Sequence, residues 1–565
     1  MRCGKRKALP GSRFGRAWQV SLALPLCLLL AMGAGAAERR FAGAVASATP
    51  EATAAGVEIL ERGGNAVDAA VAVSLALGVS EPAGSGIAGQ TVILIRPPGE
   101  DAFVINGTTW SPRSLPAEVS AEQLKYGRTA ASVPSTLRVL DLAWRRYGSG
   151  AIPWAALVEP AIRVAEEGWV VGPFRQHAFR FYHEHLVKQP AAAAIFTRAD
   201  GLPYQAGEVI RQPLLARTLR RLGEAGAADF YEGRIAGQIA ADMAANGGWI
   251  TARDLAEFPE PAILPALEGS YRGYRVYTLP PPFGGWVVLQ ILNVLEQSDT
   301  RELAGDDAER RLLLLDALRI AHGSRRQQPV ADYLDYREDI EKRISKGEAR
   351  RLLSGYRSEL APDGHGESDG ETTHFSVVDG DGLAVAVTQS IDSYFGARVA
   401  HPELGFLYNN YMQGFQVDDP AAPYALEPLQ MPKSSMSATI VTRDGRTRLV
   451  LGSPGSARII SAVAQTVSWW VDIGQDVAAA VGAFRVHVIP PDEAFVEGPE
   501  APPELLAGMA DRGLRLRRPT YGVSDTQLDP YFGGIHALAL EGGNWNGAAD
   551  PRRDGRVGFA WRREE

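Results

Sequence analysis

The sequence predicts an α+β chain in which stacked sheets are covered by helices. Two hairpin signals follow residue 372. One joins His374–Asp379 to Ala384–Ile391 across Gly380-Asp381-Gly382, and the other joins Thr439–Arg443 to Thr447–Gly452 across Asp444-Gly445. Stretches of helical periodicity lie before and after both hairpins. The chain has 565 residues, and no low-complexity linker, heptad or repeat divides it. The acidic, glycine-rich stretch before Thr372 is the one candidate break.

The first element is an address. Arg2, Lys5, Arg6, Lys7, Arg13 and Arg16 precede an apolar run from Val20 to about Ala34, which ends in the small residues Ala34-Gly35-Ala36-Ala37. The run is short for a membrane span, which needs roughly 20 residues. It reads as a signal peptide, residues 1–37, removed near Ala36 or Ala37, and the expected location is secreted or periplasmic. Cys27 follows Leu26 rather than a small residue, which argues against a lipoprotein anchor, and no stable membrane anchor is expected. Both cysteines, Cys3 and Cys27, fall inside this leader, so the mature chain has no disulfide and no thiolate nucleophile. Its removal takes six basic and no acidic residues, moving the formal charge from −8 to −14. That balance argues against a nucleic-acid partner.

Residues 50–78 read as two helices, Glu51 to about Glu61 and Ala66 to Leu77, with Gly63-Gly64 as a stop and Asn65 as N-cap. Val67, Ala70, Val71 and Leu75 make an apolar face on the second. Amphipathic stretches continue through 205–260. Pro280-Pro281-Pro282-Phe283-Gly284-Gly285 then breaks the chain before a helix from Trp286 to Leu295. Residues 361–371 read as an exposed polar loop. After the second hairpin a helix is expected from about Ala457 to Asp472, with Ile460, Val463, Val467 and Trp470 on one side.

Thr372 stands where that loop meets the first hairpin. A threonine hydroxyl is a poor nucleophile without a base beside it. Cutting the chain just before the threonine supplies one, because the freed α-amine can take the proton. A Thr-Thr pair that merely opens a strand is the alternative. Gly452-Ser453-Pro454-Gly455-Ser456 joins a strand to a helix, whose first amides lack internal partners and sit at the positive end of its dipole. The amides of Gly455 and Ser456 make a candidate oxyanion hole, with an ordinary strand-to-helix turn as the alternative. His183-Glu184-His185 is the one close histidine pair. Two histidines at i, i+2 point apart on a helix, and a solvated surface stretch is expected rather than a metal site. There is no His-Glu-x-x-His, and no Gly-x-Ser-x-Gly elbow between a strand and a helix, since Gly366-Glu367-Ser368-Asp369-Gly370 falls in the polar loop; neither metal nor cofactor is expected.

Several ordered segments resemble the γ-glutamyltransferase (γ-glutamyltranspeptidase) family of N-terminal nucleophile hydrolases. They are Leu60–Ala70, Tyr271-Arg272-Gly273-Tyr274 with the Pro280–Gly285 run, Thr372–Asp379, Leu404–Asn410, Ser434-Ser435-Met436-Ser437 and Gly452–Gly455. The resemblance covers nearly all of the mature chain. It implies a four-layer αββα sandwich built as one composite domain from two chains cut from one precursor. A cut between Glu371 and Thr372 gives a large subunit, 38–371, of 334 residues and a small subunit, 372–565, of 194. By motif, Thr372 is the nucleophile. Ser390 holds the place of a hydroxyl residue that supports it, and Gly455 and Ser456 match the oxyanion pair. The family has a second glycine where this chain has Ser456.

Departures from the family pattern fall on donor recognition. The family's carboxylate-binding arginine falls at Thr108, and the acid that binds the α-ammonium falls at Gly414. Tyr411 stands where a polar amide or acid is common. The carboxylate-binding Ser434 and Ser435 are kept, and Asp392 is a candidate to take over the ammonium. Arg113 is near the missing arginine in sequence. The opening Gly86-Ile87-Ala88-Gly89-Gln90 departs from a longer glycine run. The expected enzyme cleaves γ-glutamyl or related carboxy-acyl amides through an acyl-enzyme on Thr372, passing the acyl group to water or an amine. Alternatives are an amidase for glutaryl or other small-acid amides, and an inert relative acting as a binding protein.

Overall fold

The two hairpins become the centres of two antiparallel sheets. In the computed structural model, which describes residues 39–299, 307–327, 337–355, 370–498, 501–519 and 527–563, Thr373–Asp379 pairs with Ala384–Ser390, and Thr439–Arg443 with Arg446–Leu451. The first sheet runs Arg556–Arg563, Arg39–Ser47, Thr373–Asp379, Ala384–Ser390, Gln90–Arg96, Phe103–Asn106, Ala262–Pro265. The second runs Asn544–Ala549, His536–Glu541, Arg446–Leu451, Thr439–Arg443, Tyr274–Thr278, Leu267–Tyr271.

Strand alternation assigns each face. Phe375, Val377, Val385 and Val387 pack against helices that include Pro50–Glu61, Ala66–Ser80 and Trp154–Glu167. Val378, Ala384 and Ala386 face inward, meeting Ile440, Val450 and Leu538 of the second sheet. The outer face of that sheet, with Val441, Leu449 and Leu451, packs on Gly285–Leu295, Asp307–Gln327 and Arg458–Ser468. The layers are helix, sheet, sheet, helix, the four-layer α+β sandwich that the resemblance implied.

Local signals act as read, with informative differences. Asn65 accepts from the amides of Val67 and Asp68 while Asp68 accepts from the Asn65 amide, a complete capping box. The helix it starts, Ala66–Ser80, is buried on every side rather than along one face, because a sheet and other helices enclose it. The expected helix 457–472 is α-helical over Arg458–Ser468 and then widens to a π-turn over Trp469–Ile473. The expected exposed loop 361–371 ends buried at Gly370 and Glu371. Its other residues lie outside the described set, as does the leader 1–37 with Cys3 and Cys27. No helix among the described residues is long and apolar enough to cross a membrane.

A polar seam runs between the sheets beneath residue 372. The ring of His374 bonds Thr388 Oγ1 at 3.0 Å and Ser376 Oγ at 3.2 Å, and Ser376 donates to the His536 carbonyl. Burial, then the neighbouring His536, holds the His374 imidazole neutral. Gly452 lies flat on this ring, where an added Cβ would sit 2.3 Å from His374 Cε1. Gly452→Ala should therefore destabilise the protein by about 1–3 kcal/mol through overpacking, read as a lower thermal unfolding midpoint; an unchanged midpoint contradicts this packing.

Candidate active site

Register brings three chain positions to one end of the first sheet. Thr372 immediately precedes its strand, Ser390 closes the next strand, and Gln90 opens the third, directly opposite Ser390. The segment Gly84–Gly89, unexplained by sequence, packs its backbone against these residues. A Cβ at Gly84 would lie 2.9 Å from the Thr372 carbonyl oxygen, and one at Gly89 would lie 2.3 Å from that of Ser390. Small residues are required there because backbone meets backbone.

The peptide between Glu371 and Thr372 is held at every polar group. The Glu371 amide donates to the Asp392 carbonyl at 2.6 Å, and Ser390 Oγ donates to the Glu371 carbonyl at 2.7 Å. Thr372 Oγ1 lies 3.4 Å from Ser390 Oγ, which also accepts from the Asp392 amide at 2.7 Å. The Thr372 amide donates to Glu371 Oε1 at 3.0 Å, and Arg553 grips both carboxylate oxygens at 2.7 and 3.1 Å. Asp392 adopts a left-handed φ of 80°, followed by Phe395 at 61° and Arg398 at 59°. Strained non-glycine residues of this kind concentrate at functional sites. Chemically, a hydroxyl donor on the 371 carbonyl, with a second hydroxyl beside it, suits attack on that carbonyl.

Around Asp392 lies a charged lining. Burial pushes the Asp392 carboxyl up to about 6, opposed by a hydrogen bond from Gln413 at 2.7 Å and then by Lys433. The buried Tyr411 phenol is driven well above its usual value by burial and by Asp392, with Ser390 opposing. Ser434 Oγ accepts from Gln90 Nε2 at 3.4 Å and Ser435 Oγ accepts from Arg325 at 3.0 Å, while Arg325 also bonds the Ser434 carbonyl. Lys433 precedes these serines. Loss of surrounding water lowers its ammonium, and Arg325 and Arg326 push the same way.

The remaining sequence candidates divide. Thr108 is buried and donates to Asn106 in its own loop, which is joined to the site through the Thr109 amide and Gln90. Gly414 ends the turn Tyr411–Gly414, and a Cβ there would sit 3.3 Å from that of Pro432. Arg113 is no substitute for the missing arginine, because it pairs with Glu257 at 2.6 Å. Gly455 and Ser456 turn the chain after Arg446–Leu451 with φ of 116° and 56°. His183 and His185 lie on the helix Pro173–Leu186, and no metal-holding cluster occurs among the described residues. Sequence reading missed Gln90, Gln413, Arg325, Lys433 and Arg553. Each reaches the site from a distant segment or by folding of a loop; Lys433 next to Ser434, Gln413 next to Gly414 and Gln90 at the end of the Gly86–Gln90 stretch carried a local signal, and Arg325 and Arg553 carried none.

Comparison with known proteins finds relatives that match most of the chain. The family model described as Gamma-glutamyltranspeptidase matches residues 52–560. The chain is 35% identical to a glutathione hydrolase proenzyme of Escherichia coli over 82% of this chain and 84% of the relative. It is 32% identical to an acylase ACY 1 proenzyme of a Pseudomonas species, over 91% of this chain and 92% of that one. Among solved structures, a cephalosporin acylase from Bacillus halodurans superposes with a TM-score of 0.79 at 25% identity, covering 94% of this chain and 97% of that one.

Since the Gln413 hydrogen bond opposes the effect of burial, Gln413→Leu should raise the Asp392 pKa above about 6. Carboxyl NMR titration measures the shift, and a fall would mean that Gln413 does not hold the charged form.

Proposed function

The chain belongs to the gamma-glutamyltranspeptidase family, and on that premise we propose that it is a self-processing, exported threonine amidohydrolase or acyltransferase whose donors carry a carboxylate on the acyl group. As a family member it is an enzyme of hydrolase or transferase type. The leader at 1–37 directs it out of the cytoplasm, to the periplasm or medium. Cleavage between Glu371 and Thr372 separates chains 38–371 and 372–565, which stay associated.

The observation that carries this reading is the Ser390 hydroxyl, set 2.7 Å from the Glu371 carbonyl oxygen and 3.4 Å from Thr372 Oγ1. In the precursor, Thr372 Oγ1 attacks that carbonyl, and the chain passes to an ester that water opens. In the mature enzyme the same oxygen attacks the donor amide, with the Thr372 amine moving the proton. Amides of Gly455 and Ser456 receive the developing negative oxygen. A side chain at 456 does not block this role, because only the amide is used. The acyl-enzyme is then discharged by water or an amine. Thr372→Ala should leave one uncut chain on a denaturing gel and no turnover; a cut or active variant would refute the mechanism.

Donor recognition rests on relocated charge. Thr108 and Gly414 supply none, whereas Arg325 reaches Ser435, with Lys433 beside Ser434. These cations hold the donor carboxylate, and a charge-assisted hydrogen bond of this kind contributes roughly 1.5–3 kcal/mol. Asp392 meets an α-ammonium when the donor has one, which makes γ-glutamyl amides the first reading. The glutaryl reading is favoured by the loss at Gly414, since a glutaryl group has no ammonium to bind. Both donor anilides should be compared by kcat/KM. If Asp392 recognises the ammonium, γ-glutamyl turnover exceeds glutaryl turnover near neutral pH. That advantage then declines as pH falls through about 6 and Asp392 is protonated. A glutaryl preference at all pH values gives the site to the second reading. Arg325→Gln should raise KM for either donor by about tenfold or more, and an unchanged KM would remove Arg325 from the donor site.

A further inference from the structure

Arg553 and Glu371 form a buried ion pair beside the scissile peptide that neither nucleophile nor donor binding uses. Both side chains are almost wholly enclosed, at 1% and 2% exposed. The arginine is fixed by its own chain segment. Asp550 pairs with Arg485 at 2.7 Å and with Arg552 at 3.0 Å, Arg552 reaches Glu497 at 2.7 Å, and Asp554 accepts from the Phe174 and Arg175 amides at the start of Pro173–Leu186. Arg553 also donates to the Gly533 carbonyl at 3.3 Å and stacks on Phe174. A carboxylate at residue 371 therefore meets a cation that has little freedom to move.

Its placement has chemical meaning. Glu371 Oε1 accepts the N–H of the bond to be broken, at 3.0 Å. When Thr372 Oγ1 adds to the Glu371 carbonyl carbon, a C–O bond forms. The C–N bond then breaks, and the hydroxyl proton ends on the Thr372 nitrogen. That nitrogen gains basicity and positive charge as it departs, directly against a carboxylate. Water then adds to the ester, the C–O bond breaks, and residue 371 leaves as a chain end with a new carboxylate. Glu81 is the second carboxyl facing Arg553. It is buried, and burial pushes it up to about 8, opposed by a hydrogen bond with the Thr373 side chain and then by Arg553, which it shares with Glu371. Once residue 371 has left, Glu81 remains to face the arginine.

We propose that Glu371, clamped by Arg553, stabilises the leaving amine and positions the scissile carbonyl in its own excision, so that maturation is driven by an ion pair used once. This rests on the self-processing reading above. The test is a pulse of synthesis followed by the decay of the precursor band, for wild type, Glu371→Gln, Glu371→Asp, Arg553→Gln, Arg553→Lys and the Glu371→Gln/Arg553→Gln double variant. Each glutamine variant should slow cleavage by about tenfold or more. The double variant should be no slower than the slower single, because one unit is lost. Lysine or aspartate should restore part of the rate. The same substitutions placed on Thr372→Ala report folding through the thermal midpoint, and the charge-keeping variants decide the matter wherever a glutamine variant is misfolded. Wild-type cleavage rates in both glutamine variants, or multiplicative slowing in the double, would overturn the proposal. Cleavage of the Thr372→Ala chain itself would instead overturn the self-processing reading.

Discussion

Removing a carboxylate from water costs several kcal/mol unless a cation and hydrogen bonds replace the solvent. Glu371 is enclosed at the end of a sheet, so its carboxylate is tolerable only because Arg553 meets both oxygens. Arg553 in turn stands on a segment pinned by Asp550, whose carboxyl is held below the ordinary range despite burial, because Arg485 and Arg552 flank it and amides of Arg552 and Ile535 donate to it. Removing one member of such a network strands the others. The peptide between residues 371 and 372, held directly by Ser390 and Asp392, is thus also tied through the Glu371 side chain to the far C-terminal part of the chain.

Rigidity at that peptide is matched by strain next to it. Asp392 in the left-handed region costs about 1–2 kcal/mol, and in this backbone its amide reaches Ser390 and its carbonyl reaches Glu371. The same turn leaves the Asp392 side chain bonded to Gln413 and within the field of Lys433. One residue therefore supports the scissile bond with its backbone and faces the proposed donor site with its carboxylate. Substituting its side chain addresses the second task and leaves the first largely intact.

How much of this was legible in the sequence depended on range. Turn chemistry and alternation act over a few residues, so the hairpins at Gly380-Asp381-Gly382 and Asp444-Gly445 and the Asn65 cap were readable. Thr372 and Ser390 were readable as motif positions, and register then set them within reach of each other. Arg553 and Glu371 are 182 positions apart, Arg325 and Ser435 are 110 apart, and Gln90 and Ser434 are 344 apart. No local periodicity encodes such pairings. The polarity of the 361–371 stretch suggested exposure, yet Glu371 is buried because a partner that sequence pattern could not supply neutralises it. Arg113 failed in the opposite sense: its closeness in sequence to Thr108 promised a replacement, but Glu257 takes it.

Maturation and donor choice, as proposed, draw on different side chains. Glu371 and Arg553 serve the cut, whereas Arg325, Lys433 and the Asp392 carboxylate serve the donor. A chain that lost charge at positions 108 and 414 would therefore keep its ability to produce the nucleophile. It would change only which acyl group that nucleophile receives. Relatives named for glutathione hydrolysis and relatives named as acylases, at 35% and 32% identity to the same chain, are what such a division permits. With the cut secured by one ion pair and the donor met by another set of charges, substitutions in the donor lining can alter specificity without first having to preserve processing.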